Sequence, residues 1–287
     1  MTDPLLIGPV GAPDVHVMTY NIRRRFPSVR PGSPDRWQRR RHLLRRILAA
    51  EQPTVLGVQE ALVDQVDFVA DALGPHYAWV GRGRDASNRG EYSAVYYDTR
   101  RLSLSTWSQL ALSATPGTPG SRSWGNLVPR VVVSADLKDV ASGRRLIVYN
   151  THFDHLSRRS RSASAGMIVE LVEAAHAADP GAAIVVMGDL NADAGSMVHR
   201  RLTSGGTLRD TWDVSAERVG PQWGTFSNYR RRRVGGKRID VILVGPGVEV
   251  LRTGINAVRF DGAAASDHEP VQAVLRLDVT SPEPSQR

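Results

Sequence analysis

The most constraining feature of the sequence is a series of short apolar runs that each end in Asp, Asn, Glu or His. The run from Ile184 to Met187, for example, leads directly into Gly188, Asp189, Leu190 and Asn191. Runs of this length are typical of buried strands, and an Asp or Asn after one strand is usually only a turn residue. Because the pattern recurs along the chain, we expect a sheet whose strand ends carry chemistry.

Between these runs, helical and extended patterns alternate. Helices are expected over 35–53, with Asp35 as the N-cap and a stop before Pro53, over 61–75, and over 162–180. Strands are expected over 15–22, 54–60, 91–98, 101–110, 129–137, 144–153, 182–189, 238–245, 248–259 and 268–277. This mixed order favours two mixed β-sheets packed face to face, with helices on the outside.

The composition excludes several kinds of protein. The chain of 287 residues contains no cysteine, which rules out disulfides, thiolate metal sites and a cysteine nucleophile. Its N-terminus does not resemble a signal peptide, and no apolar run is long enough for a membrane span, so we expect a cytoplasmic monomer. Since no long linker divides the chain, we expect an N-terminal extension over 1–14, one domain over 15–279 and a disordered tail over 280–287.

The formal net charge is +8, and almost all of the positive charge is arginine. Arginines cluster at 23–25, 39–41, 158–161 and 230–233. Guanidinium groups bind phosphate in a bidentate manner, so the clusters suit a phosphate-rich partner such as DNA or RNA. A biased composition and solvated helix faces explain the same clusters, and both interpretations stay open here.

Nine polar residues at or near the predicted strand ends are candidates for a site: Asn21, Glu60, Glu91, His152, Asp189, Asn191, Asp240, Asp267 and His268. Glu60 and Asp267 offer carboxylate oxygens, and Asn21 adds an amide oxygen, which is a donor set that suits Mg²⁺. Such a metal neutralises charge on a phosphoryl oxygen. Asp189 is suited to orienting or deprotonating a water molecule, with Asn191 holding that water or a phosphate oxygen.

The two histidines are the groups at these strand ends whose ordinary pKa lies near neutrality. A carboxylate beside a histidine fixes its tautomer and stabilises its protonated form. Asp240 and Glu91 are the candidates for this role beside His152 and His268.

The motifs MTYNI, QE, GE, NTHFDH, GDLNA, RIDVILV and SDHEPV follow one another in the order found in the endonuclease/exonuclease/phosphatase superfamily. The chain therefore resembles this deoxyribonuclease I-like superfamily over 15–277, and most closely its uncharacterised bacterial branch. The resemblance implies a four-layer α/β/β/α sandwich, in which two mixed β-sheets are flanked by helices and the site lies at one edge. It also implies Mg²⁺- or Mn²⁺-dependent phosphoester hydrolysis by in-line attack of water.

The resemblance also assigns roles to individual residues. It implies three metal-binding residues, namely Asn21, Glu60 and Asp267. It implies six catalytic residues, namely Asp189 and Asn191 at the water, His268 with its partner Asp240, and His152 with its partner Glu91. Arg130 resembles a phosphate-binding arginine, although a surface ion pair is the alternative. The presence of His152 separates the chain from the abasic-site endonucleases of the superfamily.

Other residues give weaker signals. Trp124, Trp223 and Phe226 are able to stack on a base or sugar, but single aromatic residues are more often part of the core. Asp154 and His155 are interpreted as a polar turn. The stretch 81–85, with the sequence GRGRD, lacks the context of a phosphate-binding loop and is interpreted as a mobile loop at the rim of the site.

These observations favour a phosphodiester hydrolase, with nucleic acid as the slightly preferred substrate. The alternative within the same chemistry is a phosphatase or phosphodiesterase for sugar, inositol or lipid phosphates. A catalytically inactive binding protein on this fold is disfavoured, because every expected site residue is present.

Overall fold

The computed structural model describes residues 5–277, and within them two mixed β-sheets carry helices on their outer faces. The strands are β1 (Asp14–Asn21), β2 (Val55–Gln59), β3 (Tyr77–Val80), β4 (Val95–Asp98), β5 (Leu102–Ala111), β6 (Val131–Asp139), β7 (Arg145–His152), β8 (Ala183–Asp189), β9 (Arg209–Asp210), β10 (Glu217–Val219), β11 (Asp240–Val244), β12 (Glu249–Ile255) and β13 (Val271–Arg276). The helices are α1 (Trp37–Glu51), α2 (Val63–Leu73), α3 (Arg158–Ala178), α4 (Met197–Thr203) and α5 (Thr211–Val214).

The first sheet has the strand order β10-β12-β13-β1-β2-β4-β3, and the second has the order β5-β6-β7-β8-β11-β9. Each sheet contains a central parallel pair, β1 with β2 and β7 with β8, and the helices α1 and α3 make the two crossovers. Most of the remaining pairs are antiparallel, which is why hairpin-like strands and βαβ units alternate along the sequence.

Three hydrophobic cores within residues 5–277 separate the layers. One lies between the two sheets and contains Val17 and Val148. A second joins the first sheet to α1 and α2 and contains Leu44 and Val66, and a third joins the second sheet to α3 and contains Ile168. The predicted four-layer α/β/β/α sandwich is therefore confirmed.

All three predicted helices begin at other residues than expected, and the caps explain this for α1 and α3. The helix α1 begins at Trp37 without a side-chain cap, because Asp35 accepts hydrogen bonds from Arg23 and from the Tyr229 hydroxyl instead. The helix α3 begins four residues before the predicted position, because the Ser157 hydroxyl accepts a hydrogen bond from the backbone N–H of Ser160.

The predicted N-terminal extension is described only from residue 5 onwards. There the backbone N–H groups of Leu6, Ile7 and Gly8 donate to the buried carboxylate of Glu51, which ties the segment to the end of α1. The predicted tail over 280–287 lies outside the described residues, and the single domain over 15–279 stays a prediction. Within residues 5–277 no helix combines the length and the apolar character that a membrane crossing needs.

The strand directions bring eight loops to one edge of the sandwich. The C-terminal ends of β1, β2, β7 and β8 lie at this edge, and their antiparallel neighbours begin there. Within the described part of the chain, the loops at this edge are 22–36, 60–62, 81–94, 112–130, 153–157, 190–196, 220–239 and 256–270. All nine candidate site residues lie on these loops or on the strand residues next to them.

Candidate active site

Strand register places three candidate residues side by side. The parallel pairing of β7 with β8 sets His152 opposite Asp189, and the antiparallel pairing of β8 with β11 sets Asp189 opposite Asp240. From the facing sheet, the buried Asn21 amide nitrogen donates to Asp189 and to Glu60, both at 3.1 Å. Asn21 therefore links the ends of the two sheets.

Asp189 lies at the centre of the cluster. Its Oδ1 accepts the backbone N–H of Asn191 at 2.7 Å, which closes the tight turn that the sequence suggested. Gly188 is required here, since its φ is 143° and a Cβ would lie 1.9 Å from the carbonyl oxygen of Thr151. Burial and the charge of Asp240 raise the pKa of Asp189 to about 7. This carboxyl group is therefore tuned to exchange a proton near neutral pH.

On one side of Asp189, His268 contacts carboxylates. Its Nδ1 lies 2.9 Å from Asp240 and its Nε2 lies 3.8 Å from Asp189. Burial alone lowers the pKa of a histidine, but the charge of Asp240 and its hydrogen bond, followed by Asp189 and Asp267, raise the pKa of His268 well above its ordinary value. His268 is therefore an imidazolium, and the predicted pairing with Asp240 is present.

On the other side of Asp189, His152 pairs with no carboxylate of residues 5–277 other than Asp189 itself. Its Nε2 lies 2.9 Å from the side-chain amide nitrogen of Asn191 and 3.5 Å from Asp189. Burial, then the charges of Arg130 and Arg84, lower the pKa of His152 well below its ordinary value. His152 is therefore neutral, and its Nε2 accepts a hydrogen bond from Asn191.

The predicted pairing of Glu91 with His152 is wrong. The buried carboxylate of Glu91 instead binds Arg24 at 3.0 Å and Arg84 at 2.6 Å. Arg84 belongs to the GRGRD stretch, and its backbone N–H donates to the carbonyl oxygen of Glu91 across a narrow loop. This geometry makes part of the stretch an interior wall of the site, where the sequence suggested only a rim loop.

Arg130 is buried and faces the same region. Its guanidinium contacts Asp154 at 3.4 Å and the Nδ1 of His155 at 2.9 Å. Asp154 also forms the predicted turn, because its Oδ1 accepts the backbone N–H groups of Leu156 and Ser157. One terminal nitrogen of Arg130, Nη1, is buried without a hydrogen-bond partner among the described residues. A buried donor of this kind is costly unless a ligand satisfies it.

The carboxylates of Glu60 and Asp267 both lie near the guanidinium group of Arg23. The Arg23 guanidinium is 3.8 Å from Glu60 and 3.5 Å from Asp267. Burial acts to raise the pKa of Glu60, yet the charge of His268, the hydrogen bond from Asn21 and the charge of Arg23 leave it below its ordinary value. This oxygen-rich pair, which already attracts a positive group, fits a hard divalent cation.

Two details refine the predicted metal set. Asn21 directs its amide nitrogen at the carboxylates, while its oxygen accepts the backbone N–H of Arg23, so Asn21 positions the carboxylates. A second group, Asp189, Asp240 and His268, has ligand atoms within 4.8 Å of one another. The pair Glu60 and Asp267 offers carboxylate oxygens without an imidazole, which suits Mg²⁺, so it is the better candidate for this cation.

Comparison with known proteins identifies the family. Residues 18–268 match the Endonuclease/Exonuclease/phosphatase family. The chain belongs to this family. A family protein from Bacteroides vulgatus is 28% identical with a TM-score of 0.84, covering 92% of this chain and 99% of its own.

Two further solved structures are similar. A mannosyl-6-phosphatase from Bacteroides thetaiotaomicron is 27% identical with a TM-score of 0.82, covering 91% of this chain and 98% of its own. The catalytic domain of human Nocturnin is 18% identical with a TM-score of 0.66, covering 92% of this chain and 94% of its own, and shares the fold.

Of the three aromatic candidates, only Phe226 lies beside a site residue. The half-exposed ring of Phe226 lies 4.9 Å from the ring of His268, so Phe226 lines the approach to the site. Trp223 packs against the core between the sheets and beneath Arg232, as expected of a core aromatic. The carbonyl oxygen of Trp124 accepts the hydroxyl of Ser157, and nothing places its ring at the site.

Sequence reasoning did not single out Arg23, Arg24 and Arg84 as individual site residues. The first two stood within a cluster that was open to a solvated interpretation, and Arg84 stood within a presumed rim loop. One signal was available in the sequence, since Glu91 follows Arg84 at seven residues across a glycine-rich loop. Opposite charges at such positions favour pairing when the loop folds back on itself.

Proposed function

We propose that the protein is a divalent-metal-dependent phosphoester hydrolase that uses water as the nucleophile. The observation that carries the proposal is the geometry around the buried Asp189 carboxyl, which accepts hydrogen bonds from Asn21 and Asn191 and lies 3.8 Å from the Nε2 of His268. Burial and Asp240 also raise its pKa to about 7, which suits it to accept a proton from water at neutral pH.

In the proposed reaction, Asp189 accepts a proton from the attacking water while the water oxygen forms a new bond to phosphorus. The ester P–O bond breaks, and its electron pair goes to the alcohol oxygen, which takes up a proton from solvent water. The protonated His268 donates its Nε2–H to a phosphoryl oxygen and offsets the charge that develops there. Asn191, anchored to His152, holds the water in line.

Glu60 and Asp267 would hold Mg²⁺ or Mn²⁺, and Asn21 would position Glu60 and Asp189. The chemistry that this cation supplies when bound is neutralisation of negative charge on the phosphoryl group. Both carboxylates lie near the guanidinium of Arg23, which fits their proposed role as cation ligands.

Two substrate classes have support, and we place the small phosphomonoester first. The similarity to the mannosyl-6-phosphatase supports it, at 27% identity over 91% of this chain. Nucleic acid is the second candidate, and one observation favours it. The eight loops at the site edge carry 17 arginine and lysine residues and nine acidic residues. Their net charge of +8 equals the formal net charge of the whole chain. A positive surface of this kind suits the phosphate backbone of a nucleic acid.

A substrate panel tests the proposal. It contains sugar phosphates, inositol phosphates, phosphodiester lipids, single- and double-stranded DNA and RNA, each with Mg²⁺, with Mn²⁺ and with EDTA. We expect metal-dependent hydrolysis that EDTA abolishes. Full activity in EDTA contradicts the metal proposal, and failure of every substrate with either metal contradicts the enzymatic one.

The cytoplasmic location and the monomeric state stay predictions.

A further inference from the structure

One wall of the site consists of guanidinium groups held by two carboxylates. We call Arg24, Arg84, Arg130 and Glu91 the arginine wall. Glu91 bridges Arg24 and Arg84, and Asp154 binds Arg130, so three cations face two anions. The neighbouring His152 is neutral and adds no charge, and Glu60 lines the same cavity as Arg84 and Arg130.

The wall lies next to the proposed reaction centre and leaves little free space there. A cavity of about 10 Å³ is lined by Glu60, Arg84, Glu91, Arg130 and His152, together with neighbouring residues. The side chains of Arg84, Arg130 and Glu91 are 12%, 3% and 9% exposed, whereas that of Arg24 is 36% exposed. The buried Nη1 of Arg130 is a donor with no partner among the described residues.

We propose that the arginine wall selects phosphomonoesters over phosphodiesters, by binding a terminal phosphate oxygen where a diester carries its second ester group. The inference rests on the proposed hydrolase function and names its substrate class. A monoester has three terminal oxygens and two negative charges, whereas a diester has two such oxygens, one charge and a second carbon chain. Arg130 and Arg84 supply donors for the extra oxygen, and bidentate guanidinium groups suit it.

The opposite side of the centre is open. Phe226 is 48% exposed beside His268, and the groove next to it is lined by Gly224, Asn228 and Ile239 among others. The alcohol part of the substrate therefore leaves on the Phe226 side, and the phosphate enters with its terminal oxygens towards the wall.

The test compares p-nitrophenyl phosphate with bis-p-nitrophenyl phosphate in Mg²⁺, using wild type, Arg84→Met and Arg84→Lys. We expect wild type to favour the monoester in kcat/KM. Arg84→Met should lower kcat/KM for the monoester by about 10- to 100-fold, the scale of one lost charge-assisted hydrogen bond, and change the diester much less. Arg84→Lys, which keeps the charge that pairs with Glu91, should retain part of the monoester activity.

Arg82→Met is the matched control. Arg82 lies on the same loop, but it is exposed and its guanidinium lies over Trp107 at 5.0 Å, away from the wall. The control should leave both activities unchanged. A wild type that prefers the diester overturns the inference and leaves the hydrolase proposal standing, as does an equal loss of both activities in Arg84→Met.

Binding of inorganic phosphate distinguishes a failure of the arginine-wall inference from a failure of the hydrolase proposal. Phosphate should raise the melting temperature of wild type and inhibit it competitively, and Arg84→Met should weaken both effects while Arg82→Met does not. If wild type hydrolyses neither ester, the proposed function fails, and the phosphate-induced shift in Arg84→Met against wild type still decides whether the wall binds phosphate. Equal phosphate-induced shifts of the melting temperature in wild type and Arg84→Met overturn the proposal that the arginine wall binds phosphate.

Discussion

His268 and His152 lie on opposite sides of Asp189 and are both buried, yet their protonation states are opposite. His268 contacts Asp240 and faces Asp189 and Asp267, whereas His152 faces Arg84 and Arg130. A third buried histidine, His16, lies far from both groups and has a pKa lowered to about 4, chiefly by burial. Burial alone therefore favours the neutral form, and only the carboxylates around His268 reverse it.

This difference assigns separate tasks to the two halves of the site. The imidazolium of His268 is able to donate a hydrogen bond to a phosphoryl oxygen and to offset charge in the transition state. The neutral His152 accepts a hydrogen bond from Asn191 and fixes that side chain beside Asp189. In the proposed reaction, the His268 half would therefore stabilise charge and the His152 half would position the water.

The largest expected effect separates the two histidines directly. His268→Gln should lower kcat by at least about 10²-fold, because it removes a charged donor to the phosphoryl group. His152→Gln should lower kcat by about 10-fold or less, since a side-chain amide is still able to accept from Asn191. Steady-state kinetics on p-nitrophenyl phosphate in Mg²⁺ check both values. Equal losses in the two variants would remove the division of tasks.

The next effect concerns the pH profile. The kcat of wild type should rise with pH through about 7 as Asp189 loses its proton, and fall only well above that as His268 loses its own. Asp240→Asn removes the charge that raises the pKa of His268, so the falling limb should move to lower pH by about one unit or more.

Glu91→Gln is the control for this shift, because it removes a carboxylate from the arginine wall. The falling limb should stay in place in this variant. A falling limb that moves equally in Asp240→Asn and Glu91→Gln would show that the partner of His268 has been misassigned.

A smaller effect tests whether the arginines that face His152 lower its pKa. Arg130→Met removes a positive charge that lowers the pKa of His152, so this pKa should rise towards the ordinary histidine value. Nuclear magnetic resonance titration of the imidazole nitrogens measures it. Arg122→Met, on the same loop but exposed, should leave the titration of His152 unchanged. An unchanged pKa in Arg130→Met would mean that the charge of Arg130 does not contribute to keeping His152 neutral.

The last prediction concerns His16, which should affect the stability of the protein and leave catalysis unchanged. The pKa of His16 is about 4 in the folded protein and about 6.5 when unfolded, so the unfolded chain binds more protons between these values. The free energy of unfolding should therefore fall by about 3 kcal/mol from this residue as pH drops from 6.5 to 4. His16→Gln should show a smaller loss over that window in urea unfolding, and an identical loss would contradict the buried neutral state.

The sequence predicts the two sheets, and it predicts which side chains lie together at their edge, because both depend on local patterns. The apolar runs identify the strands, and strand direction then brings Asp189, Asp240 and His152 into one row. The pairing of His268 with Asp240 agrees with the motif order. Short elements such as β9 and α5 have too few residues to leave a periodic signal, and they were not predicted.

The sequence fails where partners are chosen in three dimensions. Glu91 had several arginines and one histidine within reach of its loop, and only the folded hairpin brings Arg84 within 2.6 Å. Similarly, Asp35 looked like an N-cap, but its carboxylate accepts hydrogen bonds from Arg23 and from the hydroxyl of Tyr229, which lies on a distant loop. Competing partners of similar chemistry are not ranked by local sequence.

The most direct measurement of the central claim is the hydrolysis of p-nitrophenyl phosphate by wild type and Asp189→Asn, each in Mg²⁺ and in EDTA. The account predicts turnover by wild type in Mg²⁺, loss of that turnover in EDTA, and a kcat at least about 10²-fold lower in Asp189→Asn. Circular dichroism should show that the variant is folded. Turnover by a folded Asp189→Asn at the wild-type rate would contradict the role of Asp189 as the group that accepts the proton from water.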